Sequence, residues 1–116
     1  MSIIQTDVVD FIGIDNLSKN VILSILDDLN WSNEHNHLLL LQEKINLYLS
    51  FIESGEIYDT YPLSIGKKIE IEIYFKHDLP YNATVFLEKS IQVISDAGFN
   101  LKYSIFDSDR DEFVMK

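Results

Sequence analysis

The sequence predicts an α+β domain of two layers, a four-stranded mixed sheet in the order ββαβαβ with two helices packed on one face. Three observations predict it. "KKIEIEIYFK" (67–76) alternates apolar and polar residues, the period of a strand with one face toward a core. "NEHNHLLLLQEKINLYLSFIESGE" (33–56) repeats apolar residues at spacings of three and four, the period of a helix. A second helical pattern, "LPYNATVFLEKSIQVISDAG" (79–98), separates that strand from a further apolar run, "NLKYSIF" (100–106).

The elements follow in order. "VVDFIGID" (8–15) and "NVILSIL" (20–26) are rich in β-branched residues and are separated by "NLSK", whose Asn16 and Ser18 favour a turn, so the pair reads as an antiparallel hairpin. Gly13 is expected to mark a bulge near that turn. In the first helix Leu38, Leu41, Ile45, Tyr48, Leu49 and Ile52 form the inward stripe, and Gln42, Glu43, Asn46, Ser50 and Glu53 take the other side. Ser32 or Asn33 caps its start and Gly55 ends it in the left-handed conformation. Such a helix is long enough to cross a bilayer, at roughly 33 Å, but Glu43, Lys44 and Glu53 within it oppose insertion.

In the strand at 67–76, Ile69, Ile71, Ile73 and Phe75 face the core, while Lys68, Glu70, Glu72, Tyr74 and Lys76 face water. The second helix begins near Pro80 or Asn82, turns Leu87, Ile91 and Ile94 inward, and stops at Gly98. The third and fourth strands, joined through that helix, are expected to be parallel with a right-handed crossover. Residues 106–116, "FDSDRDEFVMK", read as an acidic, partly disordered tail.

Composition bounds the function. At 116 residues the chain suits a single domain spanning 1–116, able to remove roughly 65% of its unfolded surface from water. Apolar residues at 47% and charged residues at 24% match globular usage rather than disorder. The absence of cysteine excludes disulfides, zinc–thiolate sites and cysteine nucleophiles. No signal peptide or long apolar span is recognisable, so a cytoplasmic location is expected, without membrane contact. Nineteen Asp and Glu against nine Lys and Arg give a net charge of -10, which repels phosphate backbones and favours basic protein partners. Direct nucleic-acid binding is not expected.

The residue types that carry chemistry lack the spacing to use it. His35 and His37, beside Glu34, stand two apart, and on a helix such side chains diverge by about 200°. They read as solvated histidines at the helix entry rather than metal ligands, as does His77 beside Asp78. Asp107, Asp109 and Asp111 resemble half of a calcium loop, but the Gly at its sixth position and its distant Glu are missing. Paired carboxylates (Asp27 with Asp28, Glu70 with Glu72, Glu53 with Glu56) suit a solvated surface, and no Gly-rich phosphate loop or G-x-S-x-G turn is present. No catalytic residue, cofactor or metal is therefore expected.

Aromatic residues amid negative charge suggest a different role. Trp31 follows Asp27 and Asp28, and Tyr58 and Tyr61 lie in a loop with Glu53, Glu56 and Asp59. Rings supply desolvated contact and carboxylates pair with Lys and Arg, so these eight residues form the candidate surface for a basic protein. The same rings also have a structural reading, in which Trp31 staples the helix start and the tyrosines cover the edge of the core.

The string "W…HLLLLQEKINLYLSFIESGEI", preceded by "VDFIGID", resembles a family of small uncharacterised bacterial proteins, a domain of unknown function, over residues 8 to 57. Relatives of that family look like immunity proteins of bacterial toxin systems. The resemblance implies a non-enzymatic binding protein that neutralises a basic toxin domain, such as a nuclease, as a monomer or weak homodimer. It carries over no functional residue. A small hydrolase with a carboxylate or histidine site and a structural, self-associating domain are the alternatives.

Overall fold

A computed structural model describes residues 9–116. Five strands form one mixed sheet: β1 (Phe11–Ile14), β2 (Val21–Asp27), β3 (Ile69–Phe75), β4 (Asn100–Asp107) and β5 (Glu112–Met115), lying side by side in that order. The central strands β2, β3 and β4 run parallel, and β1 and β5 flank them antiparallel. Between β2 and β3 come α1 (Glu34–Glu53), the short α2 (Glu56–Thr60) and a 3-10 turn at Pro62–Ser64; α3 (Tyr81–Asp96) joins β3 to β4.

The core lies on one side of the sheet. Val21, Leu23 and Ile25 of β2, Ile69, Ile71, Ile73 and Phe75 of β3, and Leu101 of β4 occupy alternate positions, and all pack into one buried cluster. Leu41, Ile45, Tyr48, Phe51 and Ile52 of α1 join the same cluster, as do Leu87 and Ile94 of α3. Two successive crossovers advancing in one direction along the sheet put both helices on the same face when they share a hand. Among the described residues, no helix lies on the opposite face.

The local devices are those the residue types favour. Asn33 caps α1, its side chain accepting from the Asn36 N–H, and Gly55 follows the helix at φ +83°. In the β1–β2 loop Asp15 accepts from the Ser18 N–H at 2.7 Å, and this bond, with a second from the Ser18 side chain, holds the Asp15 carboxyl below its ordinary range.

Four expectations are corrected. The sheet has five strands, not four, because residues 112–115, placed within an acidic tail, pair with β4. In the intervening turn Asp107 accepts from the N–H groups of Asp109 and Arg110, and Asp111 takes a positive φ. Gly13 marks no bulge, since the β1–β2 register runs unbroken from Phe11↔Ser24 to Ile14↔Val21; Lys19 in the loop, at φ +64°, absorbs the irregularity. The stretch after Gly55 is helical rather than a loop, because the buried Ile57 pins one turn of α2 to the core. Finally, the α1 stripe is rotated: His37, Lys44 and Phe51 are buried, while Leu38 and Leu49 lie half-exposed.

Ile45 is buried and Asn46 exposed, so Ile45→Ala should cost about 2–5 kcal/mol in urea unfolding and Asn46→Ala under about 0.5. Equal costs would refute this phase of α1.

Candidate functional site

Polar chemistry inside the molecule concentrates on the sheet-facing side of α1. Spacings of three and four place His37, Leu41, Lys44 and Tyr48 on one stripe. Three of those four residues carry polar atoms into the core, and each finds a partner on the first hairpin or just after it.

At the start of the helix, His37 and Asp27 are each 2% exposed, and His37 Nε2 lies 2.5 Å from Asp27 Oδ2. The other ring nitrogen, Nδ1, lies 3.0 Å from the Asn30 carbonyl oxygen. A carbonyl only accepts, so Nδ1 is the donor to Asn30 and Nε2 is the nitrogen that faces the carboxylate. Asp27 Oδ1 accepts from the Leu29 N–H, and the Asp27 carbonyl accepts from the Lys76 N–H. Trp31 stacks on the His37 ring at 3.6 Å between centroids and 14° between planes, and leans against Phe75. Its buried indole N–H finds no acceptor among the described residues.

Two turns further along, Lys44 Nζ reaches the Asp10 carboxylate at 3.1 and 3.2 Å and lies 5.7 Å from the Tyr48 ring centre. The Tyr48 hydroxyl donates to the Ser24 carbonyl at 2.6 Å and accepts from the Asp10 N–H at 2.9 Å, bridging the approach to β1 and the middle of β2. Burial pushes the Tyr48 hydroxyl well above its ordinary range, and the neighbouring Asp10 charge adds to the rise.

Neither cluster is arranged for catalysis. Both His37 ring nitrogens are engaged and the ring is buried, so no nitrogen faces a nucleophile or a substrate. Lys44 is likewise closed to solvent. An open groove of about 370 Å³ runs between α1 and α3, lined mainly by Ile45, Leu49, Phe86 and Val93, and Lys89 is its one ionisable lining residue. The parallel strands follow one another without a reversal of order, which leaves no switch-point crevice at their carboxyl ends. Among the described residues, no group of three or more His, Cys, Asp and Glu could hold a metal ion. His35 is exposed and His37 buried, so the reading of both as solvated is corrected for His37.

The eight residues expected to contact a partner divide into three kinds. Asp27 is buried on His37, and Trp31 is half-buried on the same ring; both hold the fold together. Asp28 is exposed at that end of the molecule. Glu53, Glu56, Tyr58 and Asp59 are exposed and Tyr61 is half-buried, all at the far end of α1, whose 20 residues span about 30 Å. The set is therefore not one patch.

A model of a family of unknown function, DUF6572, matches residues 1–107, a span that takes in β1 and ends with β4. The chain belongs to DUF6572. No curated protein matches it, and no solved structure does. The DUF6572 match takes in both polar clusters of α1 and every partner they have in the described structure, and β5 lies beyond it. No helix among the described residues is long and apolar enough to cross a membrane.

Asp27→Ala would strand a buried imidazole and should cost about 3–5 kcal/mol in urea unfolding, whereas Asp28→Ala next to it should cost under about 0.5. Similar costs at the two positions would remove the Asp27–His37 pair from its structural role. Tyr48 supplies a pH test. Its hydroxyl titrates higher folded than unfolded, so its contribution is complete below the unfolded value of about 10 and is lost as pH rises beyond it. The urea midpoint should fall more steeply above that pH in the parent than in Tyr48→Phe; parallel curves would contradict the assignment.

Proposed function

We propose that this chain is an immunity-type binding protein that neutralises a basic bacterial toxin domain by direct contact. The supporting observation is the corner where α1 passes into α2, at which Glu53, Glu56 and Asp59 are exposed beside Tyr58. No Lys or Arg occurs between Lys44 and Lys67, so the corner's own segment contains no compensating cation. With a net charge of -10 behind it, this corner attracts a cationic surface, and Tyr58 supplies a ring that a partner can desolvate. A nuclease domain fits that partner, because contact with phosphate backbones requires clustered Lys and Arg. A cysteine-free chain suits action in the reducing cytoplasm.

The contact is confined to Glu53, Glu56, Tyr58, Asp59 and Tyr61. Asp27 and Trp31 are spent on His37, and Asp28, in the connection before α1, stands at the opposite end of that helix from this footprint.

The test is co-expression with the product of the adjacent gene, followed by co-purification and growth rescue. Glu56→Lys with Asp59→Lys should slow association about tenfold at low salt, and the difference should shrink as salt screens the attraction. Tyr58→Ala should act mainly on dissociation. Folded protein that neither binds nor rescues, or rescue indifferent to the charge reversal, would refute the reading.

A further inference from the structure

The outer edge of β5 carries backbone groups in an order that matches itself. β5 ends the sheet, and among the described residues no strand lies beyond it. In an antiparallel ladder alternate residues turn their N–H and C=O toward the neighbouring strand, and the residues between turn theirs away. The Lys116 N–H donates to the Tyr103 carbonyl at 3.0 Å, one step beyond the Ser104↔Met115 partners of the β4–β5 register. That bond sets the alternation. Val114 and Glu112, opposite Ile105 and Asp107, also face β4, so Phe113 and Met115 direct their N–H and C=O outward. Exposed edges are commonly blunted by a bulge or a proline, and β5 has neither.

Charge selects the occupant. A second β5 laid antiparallel about Val114 brings Phe113 of each copy opposite Met115 of the other, the residues whose backbone groups point outward. Each such pair exchanges two N–H···O=C bonds. The same register sets Glu112 of each copy opposite Lys116 of the other, in the pairs where side chains approach most closely. A parallel, in-register pairing would instead set Glu112 near Glu112 and Lys116 near Lys116. Within its own copy Glu112 reaches Arg110 at 3.7 Å, but the two side chains are 60% and 64% exposed, so the carboxylate stays open to a second cation. Phe113 packs on Tyr74 and Phe106, and the Met115 sulfur accepts from the Ser104 hydroxyl, yet Phe113 and Met115 keep about half their surface in solvent. Across the new ladder those two side chains are neighbours on the helix-free face.

We infer that β5 of a second copy of this chain pairs antiparallel with β5 about Val114, joining the two sheets edge to edge in an isologous dimer with Glu112 of each copy beside Lys116 of the other. A strand of 4 residues is only about 14 Å long, so the interface is small and the dimer weak and concentration-dependent. The inference is independent of the acidic corner, whose residues lie on α1 and α2.

The test is sedimentation equilibrium of the full chain from low micromolar to millimolar concentration, with circular dichroism as the check of folding and amide hydrogen exchange as the map. The parent should pass from monomer to dimer, and protection of the Phe113 and Met115 amides should rise with concentration. Met115→Pro removes an outward N–H and leaves the bonds to β4 in place, so it should raise the dissociation constant at least about tenfold. Glu112→Lys and Lys116→Glu should each weaken the dimer, and the double swap should restore it. A monomer throughout the range would overturn the inference. So would a dimer indifferent to Met115→Pro and to the charge reversals, or one that leaves the two amides unprotected. Protection of those amides by a different protein, with this chain still monomeric, would assign the edge to that protein and equally overturn the dimer.

Discussion

Asp27 and His37 meet where β2 ends and α1 begins, and the architecture depends on that contact. It fixes three things together: the last residue of β2, the path of the connection through Asn30, and the rotation of α1 about its axis. Once His37 faces inward, spacings of three and four carry Leu41, Lys44 and Tyr48 inward after it. Removing two ionisable groups from water is costly, and the cost is met only with the geometry intact, so the pair opposes other phases of the helix more than it adds net stability. The Trp31 ring closes one face of the imidazole against water.

Lys44 and Tyr48 repeat the logic further along the helix. Through Asp10 and the Ser24 carbonyl they fasten the hairpin's outer strand, which the short β1–β2 ladder alone would hold weakly. The result is a helix attached to the sheet at two points by buried polar groups and along its length by apolar contact. All of this lies on one side of the sheet. The other side carries aromatic rings and the Lys102–Glu70 ion pair, while the exposed acidic residues Glu53, Glu56 and Asp59 gather at the end of α1 away from His37.

Much of this was legible in the residues. The alternation of Ile69, Ile71, Ile73 and Phe75 identified the central strand and its inner face, and the apolar repeat around Ile45 identified α1 together with its Asn33 cap and Gly55 stop. The phase of α1 was less legible, because four consecutive leucines at 38–41 offer an apolar residue to every rotation. The signal that resolves it is polar: counting back from Tyr48 by four and from Leu41 by four lands on Lys44 and His37, which only buried partners can explain. The fifth strand was hidden because Asp107, Asp109 and Asp111 resemble a solvated tail, although they build a hairpin turn. Asp27 and Trp31 look like surface residues in sequence because their neighbours, Asp28 and Asn30, are exposed. A contact ten residues away, between Asp27 and His37, has no local sequence signature.

The acidic corner, proposed above as the contact surface, is held in place by this internal frame and requires no side chain from the buried clusters. The central structural claim is that Asp27 and His37 act as one unit. A double-mutant cycle of Asp27→Ala, His37→Ala and the double variant, read by urea unfolding, measures that directly. The account predicts a coupling of about 1–3 kcal/mol, the double variant losing far less than the two single losses combined. Additive losses within about 0.5 kcal/mol would contradict it.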